Sequence, residues 1–441
     1  MGRESNKRRG PERVTLRGLE VLRWAHGGDG VAVPGDGPLS GRIVFLEDAV
    51  PGDVVDAEVL EQKARWARAR ILKVARASPE RRRAPCPIQA RCGGCPWMNG
   101  TMATQASSRQ KILVGEVRKV LGDAAADLVE LAPSGPELGH RQRLRLRYEV
   151  RSGRVTLGLH GRRTHSLIDV ERCAVADPRL NDALPAVRAA LAGRGDGAGR
   201  VTLLAGRSAS GLGAWVEPER GEAWALGEAL VELEFGRFSQ ALSPVAFAQA
   251  NAAVTGEILE LLHGWALTLM PDTDGGPAPG ASPHVVELFA GSGTLTMALW
   301  AAGCRVTAYE VDARARAAFE RTRVAMGGEA SWHELDLTLG VPHPAPPTPI
   351  HGVVLDPPRT GAREVMPWVR AARPGRVAYL SCDLATGLRD AAELTSHGYR
   401  VERIIGFDMF PHTGHQEILV LLAHADTPAF KSAAGHGMGT S

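Results

Sequence analysis

From residue 238 onward, short apolar runs alternate with helical stretches. The order is FAQANAAVTGEILELLHGWAL (helix), HVVELFAG (strand), TLTMALWAAG (helix), RVTAYEVD (strand), RARAAFERTRVAMG (helix), HGVVLDPP (strand), RVAYLSCD (strand) and GLRDAAELTSHG (helix). Apolar strands separated by helices require a mostly parallel sheet covered on both faces. Residues 235–424 are therefore predicted to form a doubly wound α/β domain. Ligands of such sheets bind beyond the C-terminal ends of the strands, so the residues that close each apolar run are the ones to read for chemistry.

Four of these strand ends stand out. VVELFAGSGTLTM reads as strand, glycine loop and helix, with Gly291 and Gly293 allowing a tight turn beneath a ligand. Thr296 stands where a dinucleotide fingerprint has its third glycine, which weakens a dinucleotide reading. AYEVD ends the next strand with Glu310, a carboxylate able to accept both hydroxyls of a ribose. VVLDPPRTG puts Asp356 at a strand end, followed by two prolines that stiffen the exit. In VAYLSCDLATGLRD, Cys382 follows an apolar run directly. Position alone leaves that thiol open as packing, metal ligand or nucleophile.

At 441 residues the chain exceeds a single compact core, and further domains must precede this one. Residues 10–76 alternate β-like runs with turn signals and predict a small β-barrel of about five strands. Residues 77–234 form a central α+β segment with a helix near 105–121, and residues 425–441 are predicted to be a disordered tail. Net charge is only +3, yet residues 63–83 hold nine Lys or Arg against one acid, and residues 141–163 hold eight Arg against one. In RQRLRLRYEV, Arg141, Arg143, Arg145 and Arg147 fall on one face of a strand and Leu144, Leu146, Tyr148 and Val150 on the other. Like charges on one face repel, so a phosphate backbone is a fitting partner.

The N-terminal MGRESNKRRG lacks the apolar core of a signal peptide, and no span is apolar enough to cross a membrane. A cytoplasmic protein with reduced thiols is expected, with no membrane partner and no obligate protein partner indicated. CPIQARCGGCP spaces Cys86, Cys92 and Cys95 as C-x5-C-x2-C, and Cys173 in DVERCAVADP is the candidate fourth ligand. Four soft donors mean zinc or an iron–sulfur cluster, which spacing does not separate.

Glycine loop, Glu310 and Asp-Pro-Pro together resemble class I S-adenosylmethionine-dependent methyltransferases, which are Rossmann-like. FSQALSPVAFAQANAAVTGEIL, VVLDPPRTG, VAYLSCDLATGLRD and GFDMFPHTGHQEILVLL further resemble, in order and spacing, the bacterial RNA 5-methyluridine methyltransferases. The resemblance is to the 23S rRNA branch, which has an OB-like TRAM barrel and an iron–sulfur cluster. It implies that Cys382 adds to carbon 6 of uracil and that Glu417 later removes the carbon 5 proton. Such activation is needed because carbon 5 of uracil is by itself a poor nucleophile. It also implies that Gln249, Phe289, Glu310, Asp336 and Asp356 contact S-adenosylmethionine, and that Cys86, Cys92, Cys95 and Cys173 hold a [4Fe–4S] cluster, with zinc the alternative.

RNA, ribosomal by this resemblance, is the implied partner. The chain departs from the family pattern at Ala250, Leu384, His140, Gln142, Glu287 and Ala290. Competing readings are RNA cytosine-C5 methylation, transfer RNA uracil-C5 methylation, and an inactive metal-stabilised RNA-binding factor in which Cys382 is dispensable.

Overall fold

The computed structural model describes residues 14–206, 211–270 and 282–428. The start of the chain and most of the expected disordered tail lie outside the described residues. The chain divides into two compact units: one runs to Ile112 and adds His160–Ser166 and Pro411–Gly414, the other takes the remainder.

Among the described residues the first unit holds six strands where about five were expected. Their order is Thr15–Glu20, Val54–Gln62, Trp66–Arg76, Ile43–Leu46, Gly30–Ala32, Arg23–Trp24. All neighbours are antiparallel except Ile43–Leu46 with Trp66–Arg76. Period-two alternation turns Val44, Leu46, Val55, Ala57, Ala67 and Ala69 into one core. Pro51-Gly52-Asp53 lies in the connection between Ile43–Leu46 and Val54–Gln62, and Asp53 is an anchor. It is fully buried, accepts the N–H groups of Val50 (2.7 Å) and Ser78 (2.9 Å), and pairs with Arg81 at 2.6 Å. Part of the basic run at 63–83 is thus structural. Arg162 and Arg163, from the second basic run, pair with Asp48 (3.0 Å) and Asp29 (2.7 Å) in the same unit.

Among the described residues the second unit contains two large sheets and a two-stranded one. The large antiparallel one has the order Leu167–Asp169, Arg154–His160, Arg143–Arg151, Gly197–Ala205, Leu212–Pro218, Trp224–Gly227. Leu144, Leu146, Tyr148 and Val150 are buried as the alternation predicts, packed with Leu180, Leu184, Val187 and Leu191 of helix Pro178–Ala192. The opposite face is less uniformly basic than its sequence, because Glu217 and Glu219 lie 3.8 and 3.6 Å from Arg145 and Arg147.

The other large sheet has eight strands, ordered Ala330–Glu334, Arg305–Glu310, His284–Leu288, Gly352–Leu355, Arg376–Ser381, Glu417–His424, Tyr399–Phe407, Val129–Leu131. The first five are parallel, as predicted, and Glu417–His424 runs antiparallel to both of its neighbours. Helix 247–267 begins later than expected: Asn251 accepts the Val254 N–H and the helix runs Ala252–Leu267. A hairpin, Val231–Phe235 with Phe238–Leu242, packs its apolar residues into the same core, so the expected boundary at 234/235 falls within it. Among the described residues no helix is long and apolar enough to cross a membrane.

Removing the carboxylate of a buried ion pair is costly, whereas a surface pair contributes little. Asp53→Ala should lower stability by about 3–5 kcal/mol and Glu61→Ala, whose partners Lys63 and Arg68 are exposed or half-buried, by under about 1 kcal/mol. Denaturant midpoints of the two variants check this.

Candidate active site

Because four neighbouring strands run parallel, the residues that follow Leu288, Glu310, Leu355 and Ser381 share one rim of the sheet. The reversed strand brings its first residue, Glu417, to the same rim. Ser381 pairs with Ile418, so Cys382 and Glu417 are the next residues out on adjacent strands.

The glycine loop at this rim takes left-handed backbone angles at Phe289 (φ 63°), Gly291 (53°) and Gly293 (79°). A Cβ on Gly293 would lie 2.6 Å from the Phe319 ring, so only glycine fits there. Phe289 has no such freedom; a bulky residue in this region costs roughly 1–3 kcal/mol, a strain that concentrates at ligand sites. Glu310 accepts the N–H groups of Gly291 and Asp312, both at 2.8 Å, which leaves further lone pairs for hydroxyl donors. The buried Ser292 hydroxyl has no hydrogen-bond partner among the described residues. Gln240 of the hairpin spans the loop, its amide donating to the Ser292 carbonyl and accepting from the Thr294 hydroxyl at 2.9 Å.

Beneath the loop lies a cluster of carboxyl groups. Burial pushes Glu287 up to about 8, helped by Asp356 and Glu310 and opposed by the Thr296 hydroxyl that donates to it. Burial and Glu310 push Asp356 up to about 7, and the Gln249 amide donates to it at 3.3 Å. Glu417 is buried and pushed up to about 8 by burial and Asp356, with Arg359 opposing. Its Oε2 has no hydrogen-bond partner among the described residues. Cys382 is half-buried; burial, then Glu417 and Asp356, push its thiol up to about 11, again against Arg359. The resting site therefore holds a thiol beside a neutral carboxylic acid, and Arg359 is the cation that favours ionisation of both.

Of the residues expected from sequence, Cys382, Glu417, Asp356, Gln249, Glu310 and Phe289 gather around this rim. Asp336 follows the parallel strand Ala330–Glu334 at the same end of the sheet, where its carboxylate accepts the Thr338 N–H (2.9 Å) and hydroxyl (2.6 Å), capping the turn Leu337–Leu339. Arg359 and Gln240 escaped sequence reading. A strand-end Asp-Pro-Pro followed at once by a cation was the available signal for the first; nothing distinguished the second. The cysteines are reduced, and Cys86, Cys92, Cys95 and Cys173 are each half-buried. Among the described residues no group of three or more His, Cys, Asp or Glu is gathered to hold a metal ion. Four thiol donors remain suitable chemistry for iron or zinc.

A doubly wound sheet with a glycine loop, an acid after its second strand and a strand-end Asp-Pro-Pro defines a methyltransferase-type domain. Residues 349–425 match the tRNA (uracil-5-)-methyltransferase family. The chain is 30% identical to the 23S rRNA (uracil(1939)-C(5))-methyltransferase RlmD of Pseudomonas putida, over 91% of its own length and 92% of that protein. Identity to the protein of the same name from Halomonas elongata is 32%, over 93% and 90%. The crystal structure of Pyrococcus abyssi tRNA (uracil-54, C5)-methyltransferase in complex with S-adenosyl-L-homocysteine shares the fold, with a TM-score of 0.70 at 19% identity, over 92% of this chain and 99% of that one. This chain belongs to the family of bacterial 23S rRNA (uracil-C5)-methyltransferases.

Below its pKa a thiol ionises tenfold more for each unit of pH. Iodoacetamide labelling of Cys382 should rise about tenfold per unit toward pH 11. Glu417 is already neutral below about pH 8, so Glu417→Gln should speed labelling only above that pH. Arg359→Met should slow it throughout. Peptide mass spectrometry against pH reads all three.

Proposed function

We propose that this protein methylates carbon 5 of a uridine in 23S ribosomal RNA, with Cys382 as nucleophile and Glu417 as general base. The reading is carried by one observation, the emergence of that thiol and that carboxyl on adjacent strands at the ligand-binding rim. S-adenosylmethionine, when bound, supplies an electrophilic methyl group.

The glycine loop and Glu310 provide donors and acceptors of the kind a ribose and an amino acid require, with Phe289, Gln249 and Asp356 around them. Cys382 loses its proton to solvent and adds to carbon 6 of the uracil as the thiolate; the carbon 5–carbon 6 electron pair shifts into the ring enolate, so that carbon 5 becomes nucleophilic. Arg359 offsets the negative charge that develops. Once carbon 5 carries its methyl group, Glu417, having released its own proton to solvent, takes the carbon 5 proton, and the Cys382 thiolate leaves as the ring double bond returns. The uridine must stand clear of any RNA helix to reach Cys382. The enzyme works in the cytoplasm, where ribosomal RNA is assembled.

Residues 10–76 are read as a TRAM-like module that contacts phosphates, and the Arg143–Arg151 strand is read as a second phosphate-contacting element. Cys86, Cys92, Cys95 and Cys173 are read as the ligands of a [4Fe–4S] cluster, zinc being the other metal this donor set accepts. The role assigned to that metal is structural, since methyl transfer needs no electron transfer. Iron, sulfide and zinc analysis of anaerobically purified protein, with its visible absorbance, tests the metal reading independently of activity.

The decisive assay incubates the protein with 23S rRNA or transfer RNA and labelled S-adenosylmethionine, then identifies the product nucleoside. Labelled 5-methyluridine in 23S rRNA is expected; 5-methylcytidine, or label in transfer RNA alone, contradicts the reading. Cys382→Ala should lose turnover and adduct together. Glu417→Gln should retain a covalent RNA adduct while turnover falls by about 100-fold or more.

A further inference from the structure

The segment after Asp356-Pro357-Pro358 is tied to the helix that starts just beyond Cys382. Gly361 (φ 83°) donates its N–H to the Pro358 carbonyl at 2.8 Å. A Cβ at Gly361 would lie 2.4 Å from Arg389 Nη2 and 2.6 Å from Asp390 Oδ2, so the segment runs directly against helix Leu384–Thr395. The Thr386 hydroxyl donates to the Arg359 carbonyl (3.1 Å) and Arg389 to the Thr360 carbonyl (3.2 Å). At the centre is Asp390, fully buried. Its Oδ2 accepts both the Ala362 N–H (2.8 Å) and the Tyr379 hydroxyl (2.6 Å), and its Oδ1 accepts from Arg389 (2.8 Å).

Tyr379 lies on the strand that leads into Cys382, so one carboxylate joins that strand, the helix beyond the thiol, and the segment carrying Arg359. Burying a carboxylate is expensive, and three donors aimed at it are what make it tolerable. The charged groups that face Cys382 are Glu417 from the reversed strand, and Asp356 and Arg359 from the loop after Gly352–Leu355. If that loop slackens, Arg359 withdraws while the Glu417 carboxyl remains.

We propose that Asp390 is a positioning residue: through Ala362, Tyr379 and Arg389 it holds Arg359 beside Cys382 and thereby sets the reactivity of the thiol. This rests on the reading of Cys382 as nucleophile. Its test does not, because it measures alkylation of Cys382 rather than methyl transfer.

The labelling profile of Cys382 between pH 7 and 10 should move up by about one unit in Asp390→Asn, about tenfold slower labelling at pH 8, and by less in Tyr379→Phe. Arg359→Met should move it as far, and Arg359→Met combined with Asp390→Asn no further than Arg359→Met alone. A merely structural Asp390 would instead leave the profile in place or add its effect in full to that of Arg359→Met, and either result overturns the proposal. If Asp390→Asn does not fold, Tyr379→Phe and Arg389→Met, which keep the carboxylate, decide by the same comparison. Undiminished methylation by Cys382→Ser would remove the nucleophile reading and leave these profiles interpretable.

Discussion

The antiparallel pairing of Arg376–Ser381 with Glu417–His424 is the constraint on which the site depends. In a purely parallel sheet every strand delivers its last residue to the ligand rim, and the residue before each strand lies on the far side. One reversed strand breaks that rule and presents its first residue instead. A thiol that ends one strand and a carboxyl that begins another, distant in sequence, thus emerge at successive register positions. The turn of Pro-Pro after Asp356 and the helix after Cys382 then close the rim around them.

Charge distribution at this rim is lopsided. Glu287, Asp356 and Glu417 are all pushed up by burial, and Asp356 adds to the shifts of the other two. Carboxyls that share a poorly solvated region cannot all ionise together. Arg359 alone among the groups discussed counters this for Cys382 and Glu417. A positive charge brought to this rim would favour the ionised carboxyls, as Arg359 does for Glu417.

The parallel strands were legible because buried strands leave continuous apolar runs, and Glu310, Asp356 and Cys382 were legible because each closes one. The helix at 247–267 was read too long: Phe247, Ala248 and Ala250 suit a helix by composition, but Asn251 caps it, and the non-helical stretch before it is where Gln249 turns toward Asp356. Arg359 was passed over because a lone cation after two prolines has the look of ordinary surface. The basic strand was legible in its alternation, whereas the Glu217 and Glu219 partners come from a separate stretch and depend on pairing that local pattern does not encode. The same holds for Val129–Leu131, three residues too short to register as a strand until their neighbour is known.

That short segment comes from the region preceding the methyltransferase domain and completes its sheet by pairing with Tyr399–Phe407. A recombinant fragment cut at residue 235 would bare the Ile404–Gly406 stretch that this segment covers, lengthening the open edge of Tyr399–Phe407, and would sever Gln240 from half of its hairpin. Such an edge recruits other chains. Precipitation of a truncated product would then reflect a missing border strand rather than an inability of the catalytic half to form its core.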